Sequence, residues 1–229
     1  MLPPFRSQGR RRPAIDALAI KLDRRIGAVE AGQISEAPIT ATDQTPTQTL
    51  ADPDSPLVER MVLSLDDLPA GVTIKNDGYI TKDNGDVSFE REFALGNANI
   101  GRSALIGLQS NVERMDSAAA AALAVAAVPS IVKGPDGAKL FANAFGEGAG
   151  FKADSIRIRE LPASGIGDRT TALHATFDTR VGPFEAVFVF IASGRAAGQI
   201  YAAAAKGKVH PADIFALART MATKMEAGR

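Results

Sequence analysis

The chain has no cysteine and no tryptophan, and among its 229 residues there are only two tyrosines and two histidines. The missing cysteine excludes disulfides, thiolate nucleophiles and thiolate metal ligands. It leaves the compartment open, because a chain of this length can bury a core without covalent staples. His174 and His210 are too few for a histidine-rich metal site, whereas carboxylate sites stay chemically open. No run of eighteen apolar residues occurs, so no transmembrane helix is expected. The longest bland run, Ala118 to Val128, is mostly alanine. An excess of one charge is also missing: Lys+Arg and Asp+Glu both number 26. Net charge therefore favours neither a polyanion nor a membrane surface as partner.

Catalytic motifs are absent too. There is no phosphate-cradling glycine loop ending in Lys-Ser or Lys-Thr, no HExxH and no GxSxG. Gly146, Gly148 and Gly150 give a superficial nucleotide-loop spacing, but no clear strand precedes them and no long helix follows. Asp83-Asn84-Gly85-Asp86 lacks the spaced oxygen ligands and closing glutamate of a calcium loop, and reads as a hairpin turn. No catalytic residue, metal ligand or cofactor is expected.

Against these absences stands a hydrophobic content of 45%, ample for one globular core. The chain divides at about residue 56. Residues 1–30 carry seven Lys or Arg and three acids, and Ile15, Leu18, Leu22, Ile26 and Val29 follow helical spacing. A helix over 13–29 is expected, with Pro13 in its first turn. It is either transient or a dock for a partner or a membrane surface. Residues 31–56 are rich in Thr, Pro, Ala, Gln and Asp, without periodicity, and read as a disordered linker.

From 57 to 229 a single α+β domain is expected: a mainly antiparallel sheet covered by helices, in the order β-β-β-α-β-β-β-β-α. A short helix or turn opens it at Leu57. Strands fit Val72–Ile80, Val87–Leu95 and Ala104–Val112, with Ile106 and Leu108 inward. A helix capped by Asp116 or Ser117 runs to Val128, where Pro129 stops it. Strands then fit Ile156–Leu161, Thr171–Phe177, Phe184–Ile191 and Ala196–Ala203. Phe184–Ile191 is apolar on nearly both phases, as suits a central strand. In the last helix His210 takes the N-cap position, Pro211 the first helical position, and Ile214, Leu217, Ala218, Met221 and Met225 form one stripe.

Two residues stand out as candidate ligand contacts. Arg91 lies between Phe89 and Phe93 on the apolar phase of its strand. A guanidinium stays charged when buried, so it needs a protein acceptor, a route to the edge, or a ligand. Tyr79, on the neighbouring strand, is placed to join it. His174 falls on the polar phase of its strand, and Asp178 is too far along an extended chain to orient it as a base.

The segment Leu65-Asp66-Asp67-Leu68-Pro69-Ala70-Gly71 resembles the start of small extracytoplasmic domains of actinobacterial and related lipoproteins. Gly167-Asp168, Phe188 to Gly194, Arg195, Ala197 and the helix Ala212 to Met225 are similar to their ends, so the likeness spans about residues 60–226. The resemblance implies an extracytoplasmic, non-enzymatic sensor-like or ligand-binding domain, tethered by a Thr/Pro-rich segment such as 38–56. The chain departs from that pattern at its start, which has neither a lipobox cysteine nor a hydrophobic export segment. Residues 1–30, taken as the true N-terminus, imply a cytoplasmic location instead. The expected function is a non-enzymatic binding or accessory domain for a small polar or anionic ligand or a protein partner. The alternatives are a structural or assembly protein docking through its N-terminal arm and, third, a small-molecule enzyme. No nucleic-acid partner is expected.

Overall fold

In a computed structural model of the chain, residues 55–81, 87–133, 156–179 and 182–228 are described. The chain enters through helix α1 (Ser55–Met61) and a 3-10 turn (Leu65–Asp67), then forms β1 (Thr73–Thr81), β2 (Val87–Ala94) and β3 (Gly107–Arg114). Helix α2 (Ala118–Lys133) and then β4 (Arg157–Leu161) come next in the chain. Strands β5 (Arg169–Thr179), β6 (Gly182–Ser193) and β7 (Ala196–Ala205) follow, and α3 (Pro211–Ala227) ends the domain. The expected element order holds. The N-terminal arm with the helix expected over 13–29, the linker, the turn expected at 83–86 and the 146–150 glycines lie outside the described residues, apart from the linker's last two positions, which begin α1.

The seven strands among the described residues form one antiparallel sheet in the order β1-β2-β3-β7-β6-β5-β4. Two meanders meet where β3 pairs with β7, Val112 opposite Gly198 and Leu108 opposite Ala202. Successive side chains of a strand point to opposite faces, so the pleat of β6 separates two cores. Val187, Val189 and Ile191 lie in a core with Ile214, Leu217, Met221 and Met225 of α3. Ala186 and Phe188 face the other way, where Val128 and Val132 of α2 pack. Strand β6 is thus central and covered on both sides, as its doubly apolar sequence implied. At Gly198 a Cβ would lie 2.6 Å from Met221 Cε and 3.2 Å from the Asn111 carbonyl oxygen. A bare backbone there lets α3 approach the sheet.

Helix α3 matches its sequence pattern: His210 is the N-cap residue, Pro211 opens the helix, and Ile214, Leu217, Ala218, Met221 and Met225 are buried. Two expectations need correction. Helix α2 does not stop at Pro129 but continues to Lys133. A proline inside a helix takes away the N–H that would bond the carbonyl four residues back, here that of Val125. Thr171 Oγ1 on β5 donates to that carbonyl at 3.0 Å, so the orphaned acceptor is satisfied by the sheet. At the helix start, Ser117 Oγ accepts from Ala120 N, the expected cap. The second correction is Ile106, which is 52% exposed. It precedes the β3 ladder, so the pleat that buries Leu108 does not govern it.

Candidate functional site

Arg91, on β2, is held by protein groups. Its Nε and Nη2 donate to Asp77 Oδ2 on β1 at 3.3 and 3.2 Å, and Nη1 donates to the Leu63 carbonyl at 3.1 Å. Glu59 Oε1 of α1 lies 3.8 Å from Nη2. The guanidinium sits 5.2 Å from the Phe89 ring centroid. Tyr79 joins through the same acid, its hydroxyl donating to Glu59 Oε2 at 3.0 Å. Its ring meets Phe89 edge-on at 4.9 Å. Burial first, and then the Glu59 carboxylate, push the phenol above its ordinary pKa. The structure therefore does bring Arg91 and Tyr79 together, around Glu59. Next to Arg91 in register, Ser110 accepts from Leu63 N at 3.2 Å. Two residues after α1, Leu63 thus has its N–H and its carbonyl both taken by polar side chains of the α3 face.

His174 has an acid partner, but not Asp178. On the α3 face its Nε2 is 3.0 Å from Glu185 Oε2 of β6. The other oxygen, Glu185 Oε1, accepts from Val209 N at 2.7 Å. Glu185 is 5% exposed, and its carboxylate ties β5 to the chain leading into α3. That accounts for the single charge in the Phe184–Ile191 run.

A serine, an aspartate and a histidine also converge on the start of α3. Ser103 Oγ donates to Asp213 Oδ2 at 2.9 Å and accepts from the main-chain N of His210 at 2.9 Å. Arg102 N donates to the same Asp213 oxygen at 2.8 Å. The imidazole takes no part in these bonds, so they form a helix-start clamp rather than a nucleophile–base pair. Gly101, at φ +60°, turns the chain beside Asp213, where a Cβ would fall 2.5 Å from Oδ1.

Sequence reasoning missed the polar half of the sheet's second face. Glu90 and Glu92 leave β2 on the side opposite Arg91, and with Ser88, Gln109 and Gln199 they are all less than a tenth exposed. The register lines them up. Glu90 is opposite Asn111 and Asn111 opposite Gln199; Glu92 is opposite Gln109 and Gln109 opposite Tyr201. A register shift between Ile74 and Asn76 accompanies the contact of Lys75 Nζ with Glu92 Oε1 at 3.5 Å. Aromatic rings continue the same face, Tyr201 and Phe188 at 5.1 Å and Phe188 and Phe190 at 6.4 Å between centroids. Within this ledge Gln199 Nε2 is buried and has no hydrogen-bond partner among the described residues. One sequence signal pointed here: Gln109-Ser110-Asn111 puts polar residues on both phases of β3, which lies inside the sheet.

Among the described residues no group of three or more His, Asp or Glu is placed to hold a metal ion. No described helix is long and apolar enough to cross a membrane. The fold and these sites define an antiparallel α+β domain whose α3 face is apolar around a few buried polar residues and whose second face is divided between a polar and an apolar half. No family model and no curated protein matches the chain. Among solved structures it is similar to the extracellular domain of PknH from Mycobacterium tuberculosis, with a TM-score of 0.43 and 10% identity, over 74% of this chain and 93% of that one.

Proposed function

We propose that the chain is a non-enzymatic binding domain that holds a small polar ligand on the polar ledge of its second sheet face. One observation carries this reading: Gln199 Nε2, an amide donor buried without a partner among the described residues, in the middle of a β7 that is otherwise apolar or small. Leaving a buried donor unmade costs about 1–3 kcal/mol, so such a group asks for a reason. A small polar ligand that accepts from this amide would supply one. The Arg91–Tyr79 cluster is the less favoured place for a ligand, because the guanidinium already meets Asp77, Glu59 and the Leu63 carbonyl. The His174–Glu185 pair is spent on holding the start of α3, which supports a role without chemistry. An extracytoplasmic setting is the part of the proposal that rests on the sequence resemblance of residues 60–226 alone.

The test is a thermal-shift screen of the full chain against neutral, cationic and anionic small polar molecules. A ligand at a hundred times its Kd stabilises by about 2.7 kcal/mol, which moves the midpoint by several degrees. A screen in which no class shifts the midpoint would refute the binding reading. Conversion of a bound molecule into a new product would refute the non-enzymatic one.

A further inference from the structure

We propose that the N-terminal arm of this chain docks its apolar stripe on the outer face of α2; the inference is independent of the binding reading above. Helix α2 has no charged residue before Lys133. A helix that is apolar all round belongs in an interior, yet only one side of α2 is covered. Ala121 and Val125 are buried in a cluster with Ala192 of β6, and Val128 and Val132 pack on the same sheet face. The opposite stripe is Ala119, Leu123, Ala126 and Ser130, which recur at helical spacing. Ala119, Leu123 and Ser130 are exposed. Leu123, at 70%, is the most exposed large apolar side chain among the described residues. Size and reach choose the occupant. A second copy would meet this stripe over about 24 Å by about 10 Å, the outline of a helix of this length. That is far short of the roughly 800 Å² per partner of a stable interface. A tethered segment needs less contact, because its tether holds it near the site at an effective concentration on the order of millimolar. Residues 1–54 precede α1. Within them Ile15, Leu18, Leu22, Ile26 and Val29 give a stripe of about the same length as α2. A lone helix of that length is marginal in water, and packing supplies what it lacks. Residues 31–54 span at most about 80 Å when extended, ample to pass from α1 around a sheet edge to α2. The seven Lys and Arg of residues 1–30 meet no carboxylate in the outer stripe and stay in water, so the contact is apolar rather than ionic.

Because the chain has no cysteine, Asp116→Cys gives a single site for a nitroxide label. Asp116 is exposed and precedes α2, at the head of the stripe rather than on it. The measurement is paramagnetic broadening of amide resonances in the 15N-labelled, spin-labelled full chain. Residues 13–29 are expected to lose signal, and to lose more of it than residues 31–54. Leu123→Asp and, separately, Leu22→Asp are each expected to restore those signals. The resonances of the domain core should stay in place in both, since Leu123 lies outside the core. Salt at about 1 M, where charges are screened beyond about 3 Å, should leave the broadening intact. Absence of selective broadening over 13–29 overturns the proposal. Broadening that survives both aspartates overturns it too, as the mark of chance encounters of a tethered chain. Broadening that disappears in high salt places the arm on an ionic site elsewhere, and again overturns it. A mixture of spin-labelled chains without 15N and 15N-labelled chains without nitroxide tests for a second copy. Equal broadening in that mixture would put the arm on another molecule and overturn docking within one chain; its absence there, with broadening in the doubly labelled chain, is the expected result.

Discussion

At the scale of single residues, the polar groups of the α3 face act as fasteners. Asp67, in the 3-10 turn, accepts from Ser64 N at 2.7 Å and Ser64 Oγ at 3.0 Å, and pairs with the Lys224 ammonium of α3. Burial pushes the Asp67 carboxyl up. The Lys224 hydrogen bond and charge and the two Ser64 donors outweigh it, so the carboxyl ends below its ordinary value of 3.8. A depressed folded-state value means the ionised form is the one the fold prefers. The stabilisation is therefore present above about pH 4, the unfolded carboxylate range, and is lost as pH falls through the lower folded value. Urea denaturation between pH 6 and 2 should show part of the acid destabilisation vanish in Asp67→Asn. Parallel acid limbs in the two proteins would show that Lys224 does not hold this carboxylate. None of this network was legible in the sequence, because Asp67 and Lys224 are 157 positions apart. The guanidinium of Arg91 was legible as a problem. Its solution was not, since Asp77 and Glu59 reach it only through the β1 register and the docking of α1.

At the scale of elements, legibility followed one-sidedness. Helix α3 carries a single apolar stripe behind a proline, and β6 is apolar on both phases; each fixes its own burial, whatever its neighbours. Helix α2 is rich in alanine almost all round and carries only a weak facing signal, so its end had to be read from Pro129 alone. That local rule failed because a tertiary donor replaced the lost bond. Thr171 Oγ1 to the Val125 carbonyl is the compensating contact, and a double-mutant cycle isolates it. Thr171→Val keeps the shape and β-branching while removing the hydroxyl, and should cost about 1–3 kcal/mol, the range for a buried acceptor left unmade. In a Pro129→Ala background the helix N–H returns to that carbonyl, and the same change should cost less than about half as much. Equal costs in both backgrounds would separate the threonine from the proline. The polar ledge is the converse case. Period-two alternation in Phe89-Glu90-Arg91-Glu92-Phe93 assigns the glutamates to solvent, yet they are buried. Alternation can give a residue's face, but not what covers that face.

At the scale of the whole molecule, the two meanders have unequal cores and depend on each other. Strand β3 finds its second neighbour only in β7, and α1 packs on α3 as well as on β2 and β3. Neither half closes its sheet alone, and an unpaired β3 or β7 would leave a row of backbone groups without partners. One cooperative transition is therefore expected rather than two. The composition supplies the probes, because tryptophan is absent and there are two tyrosines. Tyr79 lies on β1 at one edge of the sheet, and Tyr201 lies on β7 between β3 and β6. Tyr201→Phe leaves a fluorophore reporting the first meander, and Tyr79→Phe leaves one reporting the second. Each variant shifts overall stability by its own lost contacts, so the comparison is made within a variant, tyrosine emission against far-ultraviolet circular dichroism along the same urea gradient. Coincident normalised curves in both proteins are the expected outcome. If Tyr79 emission changed at a clearly lower urea concentration than the dichroism, β1–β2–α1 would open first. The Arg91–Asp77–Glu59 cluster would then be a local fastening rather than part of the global fold.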